Sequence, residues 1–223
     1  MICSVEQIVR NVTRTQTLGL SAAADRAPGT PLGPGRLILV VGPSGSGKDT
    51  LIAMAREQLA DAGGILFPTR LVTRSAPVGE NEAVLSEADL ARDVEAGRCA
   101  LEWHAHGLHY AVPATIDADI AAGRTVVVNV SRSAVPAAPR RYAHVIVVYV
   151  DAAQEIRAER LFRRGRESRP QIDERLATAR SDFGPDDADV LIVNEGPPEE
   201  GARALARLVA GVAAPCAAPF RRS

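Results

Sequence analysis

The sequence predicts an α/β fold, a mostly parallel sheet covered by helices on both faces, and three observations carry that prediction. From residue 36 onward, apolar runs of strand length alternate with stretches of helical spacing, the pattern of a parallel sheet whose ligands sit beyond the strand C-termini. The first run, residues 37–41 after Arg36, is continuous, apolar and rich in β-branched residues, as in a strand buried on both faces. Directly after it come a glycine-rich loop and then Leu51, Ile52, Ala55 and Leu59 at helical spacing. Strand, loop and helix N-terminus therefore follow one another in order.

Strands are predicted over 37–41, 66–72, 100–103, 109–112, 125–130, 144–150 and 190–193, each an apolar run of strand length. Helices are predicted over 50–61, 87–96 with Ser86 as N-cap, 114–122, 152–163, 171–181 and 198–213. Residues 1–34 stand apart: Val5, Ile8, Val9 and Val12 have the spacing of a short amphipathic helix, but 21–35 is rich in Ala, Pro and Gly and reads as an extension and linker. Residues 35–213 read as one globular domain, and 214–223 as a loose tail.

The loop itself, Gly42-Pro43-Ser44-Gly45-Ser46-Gly47-Lys48-Asp49-Thr50, matches a Walker A phosphate loop from Gly42 to Lys48. In such a loop successive backbone N–H groups cradle phosphate oxygens and the lysine reaches the terminal phosphates. Lys48 is the one lysine of the chain, the rest of the 26 basic residues being arginine. A compact ammonium thus survives where a phosphate needs it. The helix that follows brings the positive end of its dipole to the bound anion. The motif departs after the lysine, where Asp49 stands in place of the usual Ser or Thr and Thr50 follows. A carboxylate there must face Mg²⁺ or an arginine, so Asp49 and Thr50 are the candidate metal ligands.

With 223 residues, 46% of them hydrophobic, the chain is long enough for one well-buried core. A net charge of -1 gives no bulk attraction to nucleic acid or a membrane surface. No apolar run reaches the roughly 18 residues of a membrane span. Cys3, Cys99 and Cys216 lack disulfide or zinc spacing, which points to a reducing cytoplasm. Glu102, His104 and His106 would share one strand face, yet a metal site needs more convergent ligands. The histidines therefore read as pocket wall or surface, and Trp103 as core.

Between residues 157 and 180 arginines dominate, with Gly165 breaking one helix and Pro170 opening the next. A mobile arginine tip between helical stems suits a lid over about 160–176 that closes on phosphates, with Arg160, Arg164 and Arg175 as its clamps. A solvated helical hairpin with pairs such as Glu159–Arg163 is the plainer reading of the same residues.

Several pieces resemble the guanylate kinase family, over about residues 36–213: the loop GPSGSGKDT, Thr73-Arg74, Gly79-Glu80-Asn81, Leu101-Glu102-Trp103, Gly107 to Tyr110, Arg160-Leu through Arg164-Gly to Arg175-Leu, and Ile192-Val193-Asn194. The resemblance implies a P-loop kinase fold with a small acceptor-binding insert at about 70–115, an arginine-rich lid, ATP and Mg²⁺ as cofactors, and Asn194 near the adenine. It places Arg70, Arg74, Glu102, Tyr110, Asn129, Ser131 and Arg132 at the acceptor. The groups by which that family reads guanine are missing: Arg70 replaces a Ser, Ala111-Val112-Pro113 follows Tyr110 without a Ser or Thr, Asn129 and Ser131 replace strand-end acids, and no aromatic residue follows the Gly-Glu pattern. Buried groups left unpaired cost on the order of 1–3 kcal/mol each, enough to abolish selection of a base.

Asp49, Arg70 before the Thr-Arg pair, and Val-Asn-Val-Ser-Arg at 128–132 are similar to the ribose bisphosphate kinase branch of that family. This resemblance implies a phosphorylated sugar as acceptor and ATP-dependent transfer to the 1-phosphate of ribose 1,5-bisphosphate, giving 5-phosphoribosyl 1-diphosphate and ADP, in a cytoplasmic monomer or homodimer. A nucleoside monophosphate kinase and a non-catalytic interaction module of the same fold are the competing expectations.

Overall fold

A computed structural model describes residues 30–74, 82–165 and 183–213. The expected helix over 171–181, Arg175, most of the expected lid, Gly79-Glu80-Asn81 and both chain ends lie outside the described residues.

Five strands form a parallel sheet and four more form a second, mixed sheet. The chain runs β1 (Arg36–Val41), α1 (Lys48–Gln58), β2 (Ile65–Leu66), β3 (Arg70–Val72), β4 (Glu82–Val84), α2 (Glu87–Glu95), β5 (Cys99–Ala105), β6 (Leu108–Pro113), α3 (Ile116–Ala121), β7 (Thr125–Asn129), α4 (Ala138–Arg141), β8 (Val145–Asp151), α5 (Gln154–Arg164), β9 (Val190–Val193) and α6 (Pro198–Val212). The parallel sheet has the order β2-β7-β1-β8-β9, and the second sheet β4-β3-β6-β5. β1 is central: it pairs with β7 on one side and β8 on the other. Its residues alternate between two cores. Leu37, Leu39 and Val41 join the cluster with Trp103, Tyr142 and Tyr149, while Ile38 and Val40 join Leu51, Ile52, Ala55, Leu205 and Val209 of α1 and α6. That two-sided burial is why the run reads as unbroken hydrophobe.

The predicted strand 66–72 is two strands in different sheets: Ile65–Leu66 pairs with β7, and Arg70–Val72 with β4 and β6. Pro68, lacking an N–H and restricting Phe67, breaks the ladder between them. Glu82–Val84 was not predicted as a strand, and runs parallel to β3 with Arg70 opposite Glu82. The expected strands 100–103 and 109–112 extend into one antiparallel hairpin, with Ala105 opposite Leu108. Its two-residue turn has φ 53° at His106 and 71° at Gly107, the primed geometry that matches strand twist. Residues 132–141, unassigned from sequence, form a 3₁₀ turn leading into α4. The α2 cap is as expected, with Asp89 N–H donating to Ser86 Oγ at 3.1 Å. Of the described helices, none is long and apolar enough to cross a membrane.

Candidate active site

The loop between β1 and α1 lies at the C-terminal end of the central strand, the position that an α/β sheet offers a ligand. Gly42 has φ 139°, and a Cβ there would fall 2.1 Å from the Val150 carbonyl on β8. Gly47, φ 94°, is the N-cap of α1 and supplies no side-chain cap, so the first-turn N–H groups of that helix are left to a ligand. The Gly47 position is sealed behind by Asn194, whose Nδ2 would be 2.4 Å from an added Cβ.

Lys48 Nζ donates to the carbonyls of Gly42 and Pro43, each at 2.8 Å, and lies 3.4 Å from Ser46 Oγ. Burial, with Arg132, Arg70 and Arg164 nearby and only Asp49 opposing them, lowers its pKa from 10.5 to about 8. Ser46 is buried, and its carbonyl accepts from Asn194 Nδ2 at 2.8 Å and from Arg160 at 3.4 Å. Inner carbonyls of the loop are thus engaged by cations and an amide, which leaves amides to meet an anion. Thr50 is exposed in the first turn of α1. Hydroxyl, carboxylate and phosphate oxygens make a hard donor set that fits Mg²⁺, and the uncapped helix end with its lysine fits a polyphosphate.

Asp49 does not stand alone beside the lysine. Its Oδ1 accepts from Asn129 Nδ2 at 2.5 Å and lies 3.6 Å from Arg70. Desolvation opposes its charge, but Arg70, the Asn129 amide and Lys48 outweigh it and hold the carboxyl below its ordinary range, although the side chain is 61% exposed. Arg70 also donates to Glu82 Oε1 at 3.1 Å and toward the Asn129 carbonyl at 3.5 Å. Arg74 donates to Tyr110 OH at 3.0 Å, sits over the Tyr110 ring, and pairs with Glu82 Oε2 at 3.2 Å. Its Nε–H is buried with no partner among the described residues. Tyr110 is itself fixed by stacking on Trp103, centroids 5.5 Å apart. A small cleft opens beside this cluster, lined by Asp49, Arg70 and Asn129 over Ile52, Phe67 and Val127.

The structure therefore gathers Lys48, Asp49, Arg70, Arg74, Tyr110 and Asn129, and gives the other expected residues partners of their own. Asn194 is 3% exposed and props the loop from beneath. Glu102 pairs with His109 at 2.9 Å on the outer face of the hairpin, away from the arginine cluster. Ser131 accepts from the Ser133 amide and hydroxyl, capping the 3₁₀ turn. Arg132 reaches Tyr149 OH at 3.5 Å. Arg160 contacts the loop, whereas Arg164 is exposed at the end of α5 and acts on Lys48 only through its field. Glu82 and the contact of His106 with Ser44 Oγ, 3.4 Å, were not foreseen. Among the described residues no group of His, Cys, Asp or Glu is arranged to hold a metal by itself.

A phosphate loop feeding a helix at the centre of a parallel sheet, with arginines gathered beside it, defines a nucleotide-dependent kinase. The family model for guanylate kinase matches residues 34–210, and the chain belongs to that family. A guanylate kinase from Anaplasma phagocytophilum has the same fold, with a TM-score of 0.63 over 82% of this chain and 89% of its own at 19% identity. More similar in sequence is the ribose 1,5-bisphosphate phosphokinase PhnN of Bradyrhizobium diazoefficiens, 43% identical over 80% of this chain and 89% of that protein. The protein of the same name from Acidiphilium cryptum is 46% identical over 77% and 90%.

Proposed function

We propose that this protein transfers the γ-phosphoryl group of ATP to the 1-phosphate of ribose 1,5-bisphosphate, yielding 5-phosphoribosyl 1-diphosphate and ADP. One observation carries the reading: Asp49, next to the loop lysine, contacts both Arg70 of the second sheet and Asn129 at the end of β7. A second cationic cluster thereby lies alongside the phosphate loop, as an acceptor that is itself an anion requires. The relatives named for this activity, similar over nine-tenths of their own length, support it. A guanine acceptor finds few of its usual partners here, and a merely scaffolding domain has no use for Lys48 on a loop with an open helix end.

In this reading the amides of 44–50 hold the ATP phosphates, Lys48 leaves the carbonyls of Gly42 and Pro43 to span the terminal pair, and Arg160 closes from α5 with Arg164 and Arg175. Mg²⁺ supplies charge neutralisation when bound. Thr50 is its better-placed ligand, because Asp49 is already committed to Asn129 and Arg70. Arg74, whose Nε–H has no partner among the described residues, and Arg70 hold the acceptor phosphates, while the Asn129 end of β7 borders the sugar. The nucleophile is a phosphate oxygen already ionised, so no side chain must remove a proton. Positioning and charge neutralisation carry the rate. The enzyme works in the cytoplasm as a monomer or homodimer, and neither nucleic acid nor membrane is a partner.

A panel of phosphorylated acceptors with ATP and Mg²⁺, read by phosphorus NMR, tests this. Ribose 1,5-bisphosphate should give a new diphosphate pair of signals; equal or faster turnover of guanosine monophosphate reverses the assignment.

A further inference from the structure

Glu82 has no part in the reading above, yet it stands at the centre of the arginine cluster. It lies on β4 directly opposite Arg70 of β3, and its side chain is 10% exposed, against 13% for Arg70 and 18% for Arg74. Each carboxylate oxygen meets a different guanidinium: Oε1 takes Arg70 at 3.1 Å and Oε2 faces Arg74 at 3.2 Å. Two half-buried cations this close repel each other and are costly to desolvate, and a carboxylate shared between them offsets both effects. The same bridge sets their separation: Arg70 is oriented by its hydrogen bond to Oε1, while Oε2 holds Arg74 as an ion pair without a hydrogen bond. Arg70 is turned toward Asp49 and the Asn129 carbonyl, and Arg74 toward Tyr110, its Nε–H having no partner among the described residues.

We infer that Glu82 is a positioning residue for the acceptor: its bridging carboxylate sets the spacing and orientation of Arg70 and Arg74, and so selects an acceptor whose phosphate matches that fixed pair. This rests on the acceptor assignment proposed above. Glu82 touches neither nucleotide nor reacting atoms, and acts through the two arginines. A fork held in place spends less entropy on binding than one that must be ordered by its ligand.

The test uses the full chain and two variants. Glu82→Asp keeps the charge but is one methylene too short to span both arginines; Glu82→Gln keeps the length but loses the charge. Both are expected to raise the KM for ribose 1,5-bisphosphate by about tenfold, one charge-assisted contact's worth, with the KM for ATP within about twofold. Arg74→Ala should add little in the Glu82→Gln background, since pairs acting as a unit are not additive. In the unmutated protein, the Nε–H resonance of Arg74 should shift on adding the acceptor and not on ATP alone. An acceptor KM that stays put, one that falls, or an ATP KM that rises in parallel overturns the inference, and so does a silent Arg74 resonance, whatever the variants' stability. If the unmutated protein leaves ribose 1,5-bisphosphate unchanged, it is the functional reading that fails. If it turns the sugar over and the Glu82 variants behave normally, only this inference does.

Discussion

Asn194 donates its side-chain amide to the Ser46 carbonyl at 2.8 Å, joining the end of the last strand to the phosphate loop across 148 residues of chain. The bond is buried, and it fixes the peptide that precedes Gly47, the N-cap of α1. Without it the Ser46 carbonyl keeps only Arg160 at 3.4 Å. Asn194→Ala should therefore loosen the loop and raise the KM for ATP by up to about tenfold, the scale of one buried hydrogen bond. The KM for the acceptor should hardly move. Steady-state kinetics with each substrate varied in turn checks it, and equal effects on both would place Asn194 elsewhere in the mechanism.

Lys48 gives a prediction with a definite sign in pH. Its pKa falls from 10.5 to about 8 as burial and neighbouring arginines disfavour the ammonium. A lysine lowered in the folded state costs stability in full below pH 8, and that cost fades as pH rises from about 8 to 10.5, where the unfolded chain binds the extra proton. Lys48→Met should thus melt no lower than the parent at pH 7, the gain being at most on the order of 3 kcal/mol before lost hydrogen bonds are counted, while turnover disappears. Phosphates favour the ammonium, so ATP binding near pH 8.5 should take up a proton. Calorimetry in two buffers of different ionisation enthalpy measures that uptake, and a buffer-independent heat contradicts it.

The phosphate loop was legible because everything it needs is contiguous: a strand, positive-φ glycines and a helix start within fifteen or so residues of chain. Local signals likewise placed the Ser86 cap and the buried character of β1. What the sequence hid is tertiary. Nothing local to Glu82 says that a parallel strand will set it opposite Arg70, and nothing in Asp49 says that Asn129, 80 residues on, will take its oxygen. The run 66–72 reads as one strand by apolar content, but it straddles Pro68 and serves two sheets. That the Asn194 amide turns inward under the loop depends on the close approach of Gly47.

In the proposed reading, Asp49 separates metal binding from acceptor binding. Its carboxylate is held by Asn129 and Arg70, whereas the Thr50 hydroxyl, exposed in the same turn, has no such pair of contacts among the described residues. Asp49→Asn should raise the acceptor KM several-fold by releasing Arg70, and leave the Mg²⁺ concentration for half-maximal rate within about twofold; Thr50→Val should do the reverse. Magnesium titrations at saturating ATP decide between them. A large magnesium shift in Asp49→Asn would make the carboxylate a metal ligand after all.

His106 occupies a backbone position that favours other residues. At φ 53° it is the first residue of a two-residue hairpin turn where Asn, Asp or Gly is usual. Its imidazole reaches Ser44 Oγ at 3.4 Å, so the tip of the second sheet touches the phosphate loop. If the residue served the turn alone, glycine would do better there. His106→Gly should then leave the melting temperature unchanged or slightly raised, because it removes a left-handed strain of about 1 kcal/mol. It also removes a polar contact between the second sheet and the phosphate loop, and in the proposed reading kcat should fall by about tenfold with the two KM values little changed, as for a group that aligns bound substrates. His106→Asn, which tolerates the same φ, separates turn from side chain: it should keep the fold yet, being shorter, recover little of the rate. Full activity in the glycine variant would reduce the contact with Ser44 to a surface encounter.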